Sequence, residues 1–317
     1  MFIYSLFMKI VAILCTSVLF VPTAMPEKYT AVSPDELRLN VVMTSDWNME
    51  SNNRKLFRTY GKSLCGIFAS EKEVDALVFA GDCTMSGKDA EWFDFYGMLS
   101  RFNKAENVLV AFGNKDFGNN SDHGDYETKS AAAVKKYNTF LREDIKKVYY
   151  SKDVYGYKFI VLSSEDNLDG SIAYISDGQI EWLTSELAKA SAEGTPAFVV
   201  EHNMIYGKNG EASEKLGNVT SNDFKLREAL ESCGTDVIYI SGHAQRGLTK
   251  DSVTTEGRVT YINLPSAGSQ NKGDGAICDQ ALGCVAEVYD GSIVLRFRNF
   301  ETNQWVVGYD DIVIPIG

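Results

Sequence analysis

The chain has 317 residues, 44% of them hydrophobic, and its 31 basic against 43 acidic side chains give a formal charge of -12. That is enough apolar material for one large core or two small ones, and the acidity argues against a general nucleic-acid binder, because it repels phosphate backbones. A phosphate-bearing substrate would need a local source of positive charge, and a metal ion is the obvious one.

The first two dozen residues stand apart. Lys9 precedes an apolar run from Ile10 to Val21, and Pro22-Thr23-Ala24 follows as a small-residue exit. This is the pattern of a secretory signal, with Met8-Lys9 a more typical start than Met1-Phe2. An uncleaved membrane anchor is the competing reading, and it gains weight if translation starts at Met1. The expectation is a leader over residues 1–24 and one domain over residues 36–317, in a secreted or extracytoplasmic protein. Membrane contact would come only through an uncleaved leader. Export would permit disulfides. Cys278 and Cys284, flanking "DQALG", either bridge or join Cys65, Cys83 and Cys233 as small buried hydrophobes. Asn119 and Asn218 fit the glycosylation acceptor pattern.

Downstream, "RLNVVMTSD" at residues 38–46 reads as a short apolar strand ending in a polar turn. A helix is expected from Arg54 to Ala69, with Leu56, Tyr60, Leu64 and Phe68 at helical spacing. "DALVFAGD" repeats the strand-and-turn design at residues 75–82, and a second helix over Ala90 to Phe102 leads to "NVLVAFGN". "KFIVLSSED", "PAFVVEHN" and "DVIYISGH" are again apolar runs with polar ends. In "ISDGQIEWLTSEL", Ser176 reads as a helix cap with Gln179 three residues on, and Ile180, Leu183 and Leu187 share one face. The C-terminal stretch reads as strands joined by tight turns at Asp290-Gly291 and around Glu301 to Asn303. Near-continuous apolar strands alternating with helices mean an α/β fold with buried strands, whose chemistry lies at the strands' carboxyl ends.

Asp46, Asp82, Asn114, His202 and His243 each close one of those runs, and each can ligate a divalent cation. The chain has only 3 histidines, and two of them sit here. Gly-Asp and Gly-Asn are common turn dipeptides, but turns alone do not explain five such residues in this order. The segments resemble the calcineurin-like metallophosphoesterases, whose pattern is Asp-x-His, Gly-Asp, Gly-Asn-His-Asp or Glu, a lone His, and Gly-His-x-His. Here these read Asp46-Trp47-Asn48, Gly81-Asp82, Gly113-Asn114-Lys115-Asp116, His202, and Gly242-His243-Ala244-Gln245.

The resemblance implies a two-sheet α/β/β/α sandwich and one or two divalent ions, with Mn, Zn, Fe and Mg not distinguishable. It makes Asp82 the shared ligand, with Asn114, His202 and His243 completing one ion site. The other site would use Asp46 and Asp82 with Asn48 and Gln245, two positions that are histidines in the family. The family's charge-stabilising or proton-donating histidine matches Lys115. Two readings of the replacements stand: a site re-tuned for a harder ion through amide oxygens, or a site that no longer takes a second ion. Lys115 is either an electrostatic or acid catalyst or an ammonium that pairs with Asp46 or Asp82 in the vacated space. Asp116 orients its neighbours or fixes the turn. His123 is either a replacement acid overhanging the pocket or a solvated loop residue, and Trp47 reads as core filler. The implied activity is hydrolysis of a phosphomonoester or phosphodiester, on a small molecule or a phosphorylated substrate. The alternative is a catalytically impaired member acting as a binding or structural protein.

Overall fold

The structure is a computed structural model, and it describes residues 36–118, 126–165, 172–210, 222–268, 270, 276–279 and 281–317. Three parallel strands open the first sheet: β1 (Leu39–Thr44), β2 (Ala76–Ala80) and β3 (Asn107–Ala111). Parallel neighbours need crossovers, and the helices α1 (Arg54–Ser70) and α2 (Asp89–Phe102) supply them. On the other side of β1 lies the antiparallel β10 (Leu282–Tyr289), followed by β11 (Ser292–Asn299), which carries β12 (Gln304–Trp305) and β13 (Ile312–Pro315).

The helix α3 (Tyr126–Leu141) leads to the second sheet, ordered β4-β5-β6-β7-β9-β8. Its elements are β4 (Tyr150–Val154), β5 (Tyr157–Val161), helix α4 (Asp177–Glu193), β6 (Ala197–Val200), helix α5 (Asp223–Glu231), β7 (Val237–Ser241), β8 (Val253–Glu256) and β9 (Val259–Asn263). Strands β5, β6, β7 and β9 are parallel.

Side chains on a strand alternate between faces, and the second sheet divides accordingly. Phe159, Val161, Phe198, Val200, Ile238 and Ile240 join the core shared with the first sheet. Ile160, Leu162, Val199, Val237 and Tyr239 pack instead with Leu183, Leu187, Leu226 and Leu230 of α4 and α5. Strands β1 and β2 are buried along their whole length, one face under α1 and α2 and the other against the second sheet. The result is the expected α/β/β/α sandwich.

The expected helices are present within a residue of their bounds where these were read. Asn53 caps α1, accepting from Leu56 N at 3.1 Å. Ser176 caps α4, its Oγ accepting from Gln179 N at 3.2 Å. Trp47 is core, stacked on Tyr60 at a centroid distance of 4.3 Å. Cys278 and Cys284 are free thiols, not a bridge, and only Cys83 and Cys284 of the described cysteines are fully buried. Among the described residues no helix is long and apolar enough to cross a membrane. The expected leader and both glycosylation patterns lie outside them.

Candidate metal centre

At their carboxyl ends the parallel strands of both sheets hand over to turns, and the turns meet. The β1 and β2 exits are laced together, with Asp46 N donating to Gly81 O at 3.0 Å and Asn48 N to Asp82 O at 2.9 Å. The β6 and β7 exits are joined by Gly242 N donating to His202 O at 2.9 Å. Five residues here hold left-handed backbone: Asp46 (φ 55°), Asn48 (φ 48°), Asp82 (φ 50°), His243 (φ 67°) and Gln245 (φ 50°). Asp and Asn tolerate that region through local hydrogen bonds, whereas His and Gln do so less readily and are held there by their surroundings. Gly113 and Gly242 give the room. A Cβ on Gly113 would stand 2.4 Å from Asp82 Oδ1, and one on Gly242 1.8 Å from Ser45 Oγ.

Asp46, Asp82 and His202 are all buried and bring one ligand atom each within 4.8 Å of the others. His202 Nδ1 lies 2.7 Å from the backbone oxygen of Ala80. A carbonyl only accepts, so Nδ1 carries the proton and Nε2 is turned to the cluster. Around Nε2 stand Asp82 Oδ1 at 3.3 Å and His243 Nδ1 at 3.2 Å. Donors about 2 Å from an ion in tetrahedral array stand about 3.3 Å from one another, so each of these two spacings is that of a pair of ligands on one ion. Asn114, at the head of a 3-10 turn over Asn114–Phe117, adds a side-chain oxygen that is buried and has no hydrogen-bond partner among the described residues. This half of the site is chemically fitted to a divalent cation.

The other half is filled by protein donors. Lys115 Nζ lies 3.0 Å from Asp82 Oδ2 and donates to Asn48 Oδ1 at 2.8 Å, while its backbone N–H donates to Asp82 Oδ1 at 3.0 Å. Gln245 turns its amide nitrogen inward, donating to Asp46 Oδ1 and reaching Asp82 Oδ2 at 3.5 Å. Its oxygen accepts from Asn48 Nδ2 at 3.1 Å. Asp46 Oδ2 accepts from His243 N at 3.1 Å and lies 2.8 Å from Ser45 Oγ. Neither amide oxygen is aimed at the space between the two carboxylates.

The charges follow from these contacts. Burial pushes the Asp46 carboxyl up to about 6, and the nearby charge of Asp82 adds to it, against the pull of His202 and Lys115. Burial also pushes Asp82 upward, but His202 and Lys115 together outweigh it and hold that carboxyl below the usual range. Burial disfavours a charged His202, and Asp82 more than offsets it, raising the imidazole to about 10, so an ion binding at Nε2 displaces a proton there.

Asp116 is buried on the far side of the turn, accepting from Gly113 N, Cys83 N, Thr84 N and Thr84 Oγ1 at 2.9, 3.2, 2.8 and 2.8 Å. It fixes the Asn114 and Asp82 turns against each other and faces away from the cluster. His123 lies outside the described residues. Ser45 and Thr84, which orient the two aspartate turns, carried no motif. Their only signal in the sequence was adjacency to Asp46 and nearness to Asp82.

A two-sheet sandwich with a buried Asp, Asp and His cluster at its strand ends defines a metallophosphoesterase type of protein whose metal centre is incomplete. The calcineurin-like phosphoesterase family model matches residues 39–246, and the chain belongs to that family. A dimetal phosphatase from Danio rerio superposes with a TM-score of 0.59 at 14% identity, covering 89% of this chain and 100% of that one. A conserved uncharacterized protein from Streptococcus pneumoniae, described as a predicted phosphoesterase, gives a TM-score of 0.39 at 14% identity over 87% of this chain and 97% of that one. At such identity the Danio rerio likeness shows the shared fold. No curated protein matches the chain.

Proposed function

We propose that the protein is a metal-dependent phosphoester hydrolase working at an altered centre, with Asp82, Asn114, His202 and His243 holding a divalent ion. The observation that carries this is the buried cluster of Asp46, Asp82 and His202, with His243 Nδ1 3.2 Å from His202 Nε2 and a buried, unpartnered oxygen on Asn114. When bound, the ion supplies Lewis acidity toward a phosphoryl group. The Ala80 carbonyl holds the His202 ring in the ligating tautomer. The Lys115 side chain is 23% exposed where Asp82 is 1% exposed. A fixed ammonium beside Asp82 would stabilise the charge of a bound phosphoryl oxygen.

The substrate is a phosphate monoester or diester, on a small molecule or a phosphorylated partner. The leader-like residues 1–24 support a secreted or extracytoplasmic setting. The second reading is a phosphate-binding protein without turnover, and the observation favouring it is the occupation of the Asp46 half by Lys115 and Gln245.

Hydrolysis of p-nitrophenyl phosphate and bis(p-nitrophenyl) phosphate, measured with Mn²⁺, Zn²⁺ or Mg²⁺, decides between them. The expected result is ion-dependent nitrophenol release that is lost on chelation and in His202→Ala. Binding of inorganic phosphate with no release under any ion overturns the hydrolase in favour of the binding protein.

A further inference from the structure

We infer that the Lys115 ammonium is a built-in replacement for a second cation, so that the centre takes one divalent ion and no more. The inference deepens the hydrolase reading and rests on it for the ion held on the His202 side.

Three observations carry it, all from the geometry around Asp82. First, the two Asp82 oxygens face different positive groups. Oδ1 turns to the His202 ring at 3.3 Å and Oδ2 to Lys115 Nζ at 3.0 Å. Two buried carboxylates side by side, Asp46 and Asp82, need positive charge close at hand. On the Oδ2 side the chain provides that charge itself. Second, Asn48, whose oxygen is the donor a hard cation would use, spends that oxygen on Lys115 at 2.8 Å. Third, the Gln245 amide presents hydrogens, not oxygen, to Asp46 and Asp82, and hydrogens repel a cation. The orientation is fixed on its other side, where the Gln245 oxygen accepts from Asn48 Nδ2 at 3.1 Å. Asn48, Lys115 and Gln245 thus form one closed network, with every polar end matched to a carboxylate or to another member.

Lys115 has its backbone tied to the same carboxylate, its N–H donating to Asp82 Oδ1 at 3.0 Å. The ammonium is therefore delivered by a rigid 3-10 turn, and Asp116 pins that turn through Gly113 N at 2.9 Å. A charge delivered in this way is always present, whereas a bound ion depends on its concentration. The centre thereby needs only a single ion from its surroundings, and part of the charge facing an anionic substrate belongs to the polypeptide.

The test is the number of ions per chain after loading with Mn²⁺ alone and desalting, measured by elemental analysis. Electron paramagnetic resonance of the same samples reads whether the ions are isolated or coupled in pairs. The protein is compared with Lys115→Ala, which removes the charge, and Lys115→Arg, which keeps it, each checked for fold by circular dichroism. The expected result is a single isolated ion in the protein and in Lys115→Arg, and a coupled pair in Lys115→Ala. A coupled pair in the unaltered protein overturns the inference and leaves the hydrolase reading intact. So does a count in Lys115→Ala that stays at the unaltered protein's value. No ion in the unaltered protein overturns both the inference and the ion-binding reading on which it rests.

Discussion

Gly242 shows how little slack the centre has. A Cβ there would stand 1.8 Å from Ser45 Oγ and 2.7 Å from Asp46 Oδ2, so the β7 turn would be pushed off the β1 turn. Gly242→Ala is expected to cost about 2–3 kcal/mol as an overpacking change and to abolish Mn²⁺ uptake, both measured on one sample by urea titration and elemental analysis. The positions of Asp82, Asn114 and His243 were legible in the sequence, because a Gly-Asp, Gly-Asn or Gly-His pair closing an apolar run puts a polar side chain at a strand end, and Asp46 and His202 close such runs without the glycine. What Asn48 and Gln245 do there was not. An amide can offer an oxygen or hydrogens to its neighbours, and only the packing chooses. The sequence likewise left Lys115 open between catalyst and ion pair, and its contact with Asp82 at 3.0 Å establishes the pair while leaving the side chain partly exposed. For Asp116 the turn-fixing reading agrees with four donors converging on one buried carboxylate.

Elements with strong local signals were read nearly to the residue. Helix α4 has its cap and the start of its apolar face in one short stretch, whereas its left-handed terminator at Gly194, with φ 69°, was not read from the sequence. Ser176→Ala removes the acceptor for Gln179 N and is expected to lower stability by about 1 kcal/mol, read as a lower urea midpoint with an unchanged slope. Helix α3 escaped notice because its buried residues are only Ala133 and Tyr137, too sparse a stripe to show a period. Helix α5 is 9 residues long and buries Leu226, Ala229 and Leu230, which is short for a pattern search. The division of strands between two sheets was also beyond local signals. Near-continuous apolar runs show burial on both faces but not what covers each face, so the sandwich was expected from family resemblance alone.

The centre draws Asp46, Asp82 and Asn114 from the turns of the first sheet and His202 and His243 from those of the second. An ion held there clasps the two sheets together. Because binding to the folded state alone stabilises it by mass action, Mn²⁺ at a hundredfold excess over its dissociation constant should add about 2.7 kcal/mol. That gain is expected as a rise in melting temperature that chelation reverses, and His202→Ala should show none of it. The position of β1 between β2 and β10 has a consequence for the order of events during synthesis. The second sheet comes from one continuous stretch, Tyr150 to Asn263, while the first joins residues near the amino end to strands from Leu282 onward. As the chain emerges from the ribosome, β1 presents an unpaired edge until Leu282 to Tyr289 have appeared. Contacts so distant along the chain form slowly. Through that interval the exposed edge is open to wrong partners, and the nascent protein needs shielding longest where β1 waits for β10.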